Sequence, residues 1–179
     1  MKVSPKCLSL FEEIGTKVIK NMQKFSVLFV CLGNICRSPL GEVIFKDLVK
    51  QDGLEDRFLV ESCGTGGWHV GQGAHEGSVE IAARHGISLD EHVARKLCAD
   101  DFKRFNLLVA MDRSNLQDIK KRKSSKDVRS VCLREYDDEA DDLDVPDPYY
   151  LPRDSFKTVF DIVHRSCQNL LVEIKEEHF

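Results

Sequence analysis

Cys31 and Arg37, set six residues apart in CLGNICRS, are the side chains whose types and spacing point most directly to chemistry. Phe25 to Val30 is a short run of Val, Leu and Phe, the pattern of a buried strand. It leads into a turn containing Gly33 and Asn34, then Arg37 and Ser38, and Pro39 opens an expected helix. A strand, a tight loop and a helix N-terminus together make an anion site. Backbone N–H groups turn inward there, and the helix dipole adds partial positive charge. Cys31 ends the strand, where such a loop surrounds a sulfur with donors and favours the nucleophilic thiolate. Arg37 can return a planar, bidentate fork to the same point. The expected chemistry is phosphoryl transfer to sulfur.

Other uses of these residues fit less well. A nucleotide-binding loop needs Gly-Lys-Ser/Thr at the helix start, and no such lysine is present. Cys31 and Cys36 lack a second Cys or His pair at zinc-ligand spacing. A cysteine with an arginine six residues on is also compatible with a small buried hydrophobe. The strand before the loop and the proline-started helix after it favour catalysis.

Phosphoryl transfer from an oxygen ester also needs a proton donor for the leaving group. Asp147, in VPDPYY, is the candidate. Pro146 and Pro148 restrict its backbone, and a residue before proline is pushed toward extended geometry. By itself Asp-Pro is a turn signal, and it gains meaning only beside Cys31 and Arg37.

These residues must be positioned by a fold. A chain of 179 residues has room for one domain with a substantial core. Its 42% hydrophobic and 31% charged composition is that of a globular protein. A net charge of −4 gives no reason to expect nucleic acid as a partner. No apolar stretch reaches the length of a membrane-spanning helix, and no secretory signal is expected. Seven cysteines, an odd number without regular spacing, suit a reducing compartment, so a cytoplasmic location is expected.

Residues 1–24 read as an N-terminal extension, possibly helical, ahead of a domain over residues 25–179. Leu10, Phe11, Ile14, Val18 and Met22 approximate an apolar stripe, and Ser9 with Glu12 can cap it. Glu12 and Glu13 argue against a mitochondrial presequence. Within the domain, strands are expected at 25–30, 58–61, 106–110 and 128–133. Helices are expected near 39–51, 75–85, 99–104, from Asp112 or Ser114 to about 121, and at 154–175. SCGTGGWHVGQG reads as a loop, and the acidic run from Asp137 to Asp144 as a solvated one. The basic run from Lys120 to Lys126 reads as a solvated helix end. His69, His75, His85, His164 and His178 have no metal-ligand spacing and receive no role. Alternating strands and helices predict an α/β fold, a parallel twisted sheet covered on both faces. Ligands bind such sheets beyond the strands' carboxyl ends, where Cys31 falls.

Four motifs in this order, CLGNICRSP, SCGTGGWHVG, MDRSNL and DPYY, resemble the low-molecular-weight protein tyrosine phosphatases over roughly residues 25 to 177. The resemblance implies a single flavodoxin-like domain with a four-stranded parallel sheet. It also implies metal-independent, cofactor-free hydrolysis of phosphotyrosine and small aryl phosphates through a cysteinyl-phosphate. On that basis Cys31 is the nucleophile, Arg37 binds phosphate, and Asp147 is general acid and then base. Leu32, Gly33, Asn34, Ile35, Cys36 and Arg37 form the phosphate cradle. Ser38 stabilises the thiolate, and Ser62 supports Asn34. Trp68 and Tyr149 wall the substrate ring beside Tyr150, while His92 and Asp112 form a structural pair behind the site. Cys36 matches a second loop cysteine able to form a reversible disulfide with Cys31.

The implied partners are tyrosine-phosphorylated proteins, with phosphate and other oxyanions as inhibitors, for a monomer or weakly self-associating chain. Arsenate reductases resemble the same loop but use two further neighbouring cysteines, whereas Cys98 and Cys132 are far apart in sequence. Protein arginine phosphatases tend to carry threonine where Ile35 stands. A non-catalytic phosphoprotein-binding module would lack the nucleophile or the acid. Leu151 stands where glycine commonly follows the tyrosines, and Cys63 where alanine is usual.

Overall fold

The computed structural model describes residues 24–122 and 128–179. The stripe expected over residues 1–24, apart from Lys24, and positions 123–126 of the basic run lie outside the described residues. Four parallel strands, β1 (Phe25–Cys31), β2 (Phe58–Gly64), β3 (Leu107–Ala110) and β4 (Arg129–Cys132), form one sheet in the order β2-β1-β3-β4. The helices are α1 (Arg37–Gln51), α2 (Glu76–Arg84), the short α3 (Asp101–Arg104), α4 (Arg113–Arg122) and the long α5 (Ser155–His178).

Both faces of the sheet are covered. Successive side chains in a strand point to opposite faces. Val27 and Phe29 of β1 therefore join a core with Leu40, Ile44, Phe45, Phe156, Phe160 and Val163 of α1 and α5. Leu28 and Val30 face the other way, into a smaller core with Leu108, Phe102, Phe105 and Ile119. Such double burial is why β1 reads as a continuous apolar run rather than an alternating one.

Two boundaries depart from the sequence expectation for physical reasons. β2 continues through Ser62, Cys63 and Gly64, because β1 supplies a partner for each, up to Cys31 opposite Gly64. The glycine-rich composition had placed these residues in a loop. α1 starts at Arg37, two residues before Pro39. Proline in the first turn costs nothing, since those N–H groups have no intrahelical acceptor.

The acidic run is not simply solvated. Asp137 is buried and accepts hydrogen bonds from Arg134 Nε (3.1 Å) and from Arg165 through Nε (2.6 Å) and Nη2 (3.1 Å). Arg134 also reaches Asp141, and Arg113 pairs with Asp142 and Asp144. Burial works against the charge on Asp137, but the Arg165 and Arg134 contacts outweigh it and hold the carboxyl below the usual aspartate range. A group whose folded pKa is depressed stabilises the fold above its unfolded value and loses that contribution as pH falls through the folded one. Asp137→Asn is expected to cost about 3 kcal/mol near neutral pH, at the low end for a broken buried pair because Arg165 is partly exposed. The gap between wild type and variant should begin to narrow below about pH 4 and go on narrowing as pH falls through the depressed folded value. Chemical denaturation at pH 7 and at pH 2.5 checks both statements, and a gap as wide at pH 2.5 as at pH 7 refutes them.

Candidate active site

The loop from Cys31 to Arg37 turns on Asn34, whose φ of 57° lies in the left-handed region. Asparagine tolerates that conformation better than most residues. Every polar group of Asn34 then finds a partner. Its N–H donates to Cys31 Sγ at 3.2 Å, and its Nδ2 donates to Ser38 Oγ (3.0 Å) and Ser62 Oγ (2.9 Å). Its Oδ1 accepts from the Arg95 N–H at 2.8 Å. Its carbonyl accepts from His92 Nε2 at 2.8 Å, so Nε2 must carry that ring's proton. Ser62 in turn donates to Glu42 Oε2 at 2.6 Å, which extends the chain of hydrogen bonds to α1.

The sulfur sits at the centre of these contacts. Ser38 Oγ lies 3.0 Å from Cys31 Sγ and 3.2 Å from the Cys63 carbonyl, and its single proton can serve only one of them. With Asn34 Nδ2 already donating to Ser38, an anionic sulfur is the stronger acceptor for that proton. Cys36, in the same loop, is chemically distinct. Burial, followed by the nearby Cys31 and Asp147, pushes its thiol up to about 12. Of these two cysteines, Cys31 is the one whose sulfur faces the Asn34 N–H and the Ser38 hydroxyl.

Arg37 joins the loop to the rest of the site. It is buried, and its Nη1 donates to Asp112 Oδ2 (2.7 Å) and to the Val145 carbonyl (3.2 Å). Its Nη2 donates to Asp147 Oδ2 at 2.7 Å. Burial disfavours the guanidinium charge, but Cys31, Asp147 and Asp112 more than compensate and raise it above the ordinary arginine range. Asp112 also accepts from the Asn115 N–H at 2.6 Å, capping α4 as expected. The segment carrying Asp147 is tied to the sheet one turn earlier, where the buried Val145 donates its N–H to the carbonyl of Met111, just past β3. Asp147 Oδ1 accepts from the Tyr149 N–H at 3.2 Å, which fixes the carboxyl's rotation.

Cys31, Leu32, Gly33, Ile35, Cys36, Arg37 and Asp147 line one cleft of about 310 Å³ with Trp68, His69, Tyr149 and Tyr150. Trp68 is 72% exposed and Tyr149 39%, so the aromatic walls stand open to solvent. Tyr150 is 93% exposed and meets Tyr149 edge-on at 4.7 Å. His92 and Asp112 each hold a different residue of the loop, His92 the Asn34 carbonyl and Asp112 the Arg37 guanidinium. Among the described residues, no group of three or more His, Cys, Asp and Glu is placed to hold a metal ion.

The profile of the low molecular weight phosphotyrosine protein phosphatase family matches residues 26–178. The chain belongs to that family. It is 43% identical over 157 residues to the low molecular weight phosphotyrosine protein phosphatase of Schizosaccharomyces pombe, covering 87% of this chain and 98% of that one. The crystal structure of YfkJ from Bacillus subtilis superposes with a TM-score of 0.81 at 41% identity, over 88% of this chain and 98% of that one. DARP, a Drosophila arginine phosphatase, superposes with a TM-score of 0.78 at 31% identity, over 83% and 97%.

Several residues without a sequence assignment belong to this family member's site. His69, which has no metal-ligand spacing, lines the cleft and holds Gln72 through Nδ1 at 2.8 Å. Gly64 lies so close to the loop that a Cβ there would stand 2.7 Å from the Leu32 carbonyl oxygen and 3.1 Å from the Asn34 nitrogen. His75 donates its N–H to the Ile35 carbonyl at 2.8 Å, and Ser78 Oγ donates to the Cys36 carbonyl at 3.3 Å. These backbone contacts depend on chain crossings that leave no signature in residue type.

Asn34→Gly separates conformation from bonding, because glycine adopts positive φ freely. The variant keeps the turn but loses the bonds to Ser38, Ser62 and Arg95. It is expected to lose about 2 kcal/mol of stability, the net worth of one to two such bonds plus an unsatisfied partner. Affinity for inorganic phosphate, measured by titration calorimetry, should fall at least about tenfold. Unchanged phosphate affinity would show that φ alone shapes the loop.

Proposed function

We propose that this phosphatase, over residues 25–179, hydrolyses protein phosphotyrosine and small aryl phosphates by two successive displacements at phosphorus. In the first, the Cys31 thiolate attacks phosphorus in line, forming the P–S bond as the P–O bond to the aryl group breaks. Arg37 and the loop amides hold the equatorial oxygens. Asp147 gives its proton to the departing phenolate oxygen. In the second, the Asp147 carboxylate takes a proton from water, whose oxygen attacks phosphorus as the P–S bond breaks. The leaving thiolate is received by the Ser38 hydroxyl and the Asn34 N–H.

One observation carries this reading: Arg37 bonds Asp147 through Nη2 while belonging to the loop that surrounds Cys31. A phosphoryl group entering that loop competes with Asp147 for the guanidinium and frees the carboxyl beside the leaving oxygen. Ile35, buried and apolar within the cleft, suits a flat aromatic ring better than a guanidinium and favours phosphotyrosine over phosphoarginine. A route through two further cysteines, as in arsenate reduction, has no support, since neither Cys98 nor Cys132 lines the cleft. The convergence of Cys31, Arg37 and Asp147 argues against a module that only binds phosphoproteins. Phosphate and other oxyanions are the expected inhibitors, since they fit the same cradle. The free cysteines suit a reducing compartment such as the cytoplasm.

Cys31→Ser is expected to lose at least about 10³-fold in turnover of an aryl phosphate assayed without metal. Asp147→Ala should lose about 10²-fold in kcat/KM on phenyl phosphate, and much less on an ester with a better leaving group. A phosphoarginine peptide should be turned over far more slowly than the matching phosphotyrosine peptide. Undiminished turnover by Cys31→Ser sinks the nucleophile assignment, and a leaving-group dependence unaltered by Asp147→Ala sinks that of the acid.

The two loop cysteines also predict a redox response. Peroxide transfers oxygen to the Cys31 thiolate, giving sulfenic acid and a reduced oxygen product. Cys36 sulfur then displaces water from it to form the Cys31–Cys36 disulfide. Because burial raises the Cys36 thiol, its thiolate fraction near neutral pH is small and rises about tenfold per pH unit. Closure from a preformed sulfenic acid should therefore accelerate steeply between pH 7 and 9, followed by mass spectrometry. Finding only sulfinic or sulfonic acid at Cys31 would count against a protective role for Cys36.

A further inference from the structure

The segment from Asp147 to Phe156 straddles the first turns of α2. At its near end, the Tyr149 ring meets His75, the residue capping α2, edge-on at 5.8 Å. At its far end, the buried Phe156 stacks on the same His75 ring at 5.1 Å. Phe156 also lies over Gly77 so closely that a Cβ there would stand 2.6 Å from the phenyl ring. Between these ends the chain is exposed at Tyr150 and Leu151, which form a turn closed by the Leu151 N–H on the Pro148 carbonyl at 3.0 Å. Arg153 crosses from this exposed stretch to α2. Its Nη2 pairs with Glu76 and its Nη1 with Glu80, so that one guanidinium bridges two carboxylates a turn apart. Arg153, then Arg84, hold the Glu80 carboxyl below the usual glutamate range.

The same first turns of α2 hold the phosphate loop, through the His75 N–H on Ile35 and the Ser78 hydroxyl on Cys36. α2 is thus common ground between the loop bearing Cys31 and the segment bearing Asp147. We propose that Arg153 is a positioning residue: by bridging Glu76 and Glu80 it fixes the exposed arc after Asp147, and with it the aim of the Asp147 carboxyl at the leaving oxygen. The inference rests on the reading of Asp147 as proton donor. Leu151 lies within this exposed arc. That residue needs no positive φ here, and the arc is held by a side-chain bridge rather than by backbone freedom.

An exposed ion pair contributes little to stability, so its loss should appear in alignment rather than in folding. Misplacing a catalytic group by about 1 Å can cost up to about 10²-fold in rate. In the full chain, Arg153→Gln is expected to lower kcat/KM for phenyl phosphate about tenfold, and that for 4-nitrophenyl phosphate no more than about twofold. Inhibition by inorganic phosphate and the Tm should stay unchanged. The double variant Glu76→Gln/Glu80→Gln should reproduce the pattern from the other side of the bridge. In an Asp147→Ala background, Arg153→Gln should cause no further loss, because residues acting through one group are not additive. Equal losses on both esters, a full additional loss in the Asp147→Ala background, or no loss at all would each overturn the proposal. If Asp147→Ala itself leaves leaving-group dependence unaltered, the acid assignment fails and this inference fails with it. If only Arg153→Gln is silent, the bridge alone is wrong.

Discussion

The site depends on one residue held left-handed. Asn34 at φ 57° carries a backbone strain of about 1 kcal/mol, and its hydrogen bonds to Ser38, Ser62, Arg95 and His92 outweigh that strain several times over. The turn it makes brings its own N–H onto Cys31 Sγ. Without that turn this N–H would not reach the sulfur, and the side chain of Asn34 would not tie the loop to Ser38, Ser62 and Arg95. The two loop cysteines illustrate the contrast. Cys36 lies five residues away, and there burial, followed by the nearby Cys31 and Asp147, pushes the thiol up to about 12.

Around this turn the fold acts as a set of anchors at the carboxyl ends of parallel strands. β1 ends at Cys31, β2 brings Ser62 and Gly64 against the loop, and β3 leads through Met111 to Asp112 and holds Val145. Arg37 connects these three neighbourhoods through Cys31, Asp112, Val145 and Asp147. A guanidinium suits that position because its five donors are fixed in a plane and its charge survives burial. The acid segment has no strand of its own. It is held at one end by Val145 and Arg37 and at the other by α2.

Membership of the phosphatase family accounts for the cradle but leaves the walls of the cleft to individual chains. The similarity to an arginine phosphatase at 31% identity shows that one frame carries more than one named activity. In this chain Ile35, Trp68, His69 and Tyr149 stand among the side chains that line the cleft around the loop. Ile35 is buried at the base, whereas Trp68 and Tyr149 stand open to solvent at the rim.

Much of this was legible in residue order alone. The strand run before Cys31, the alternation of strands and helices, and the six-residue interval to Arg37 each follow from local rules of burial and chain geometry. Asp147 was legible only as a companion to those residues, since Asp-Pro by itself marks a turn. The acidic run illustrates the opposite case. Composition makes it a solvated loop, yet Asp137 is buried because Arg134 and Arg165 arrive from other elements. His75 carries no motif, and its part in joining the phosphate loop to the acid segment comes from where α2 crosses both. Sequence by itself determined the chemistry on offer, because sulfur, guanidinium and carboxyl are fixed by residue type and short spacing. Tertiary structure alone decided their mutual aim, because hydrogen bonds between residues tens of positions apart exist only once the sheet has brought its strand ends together.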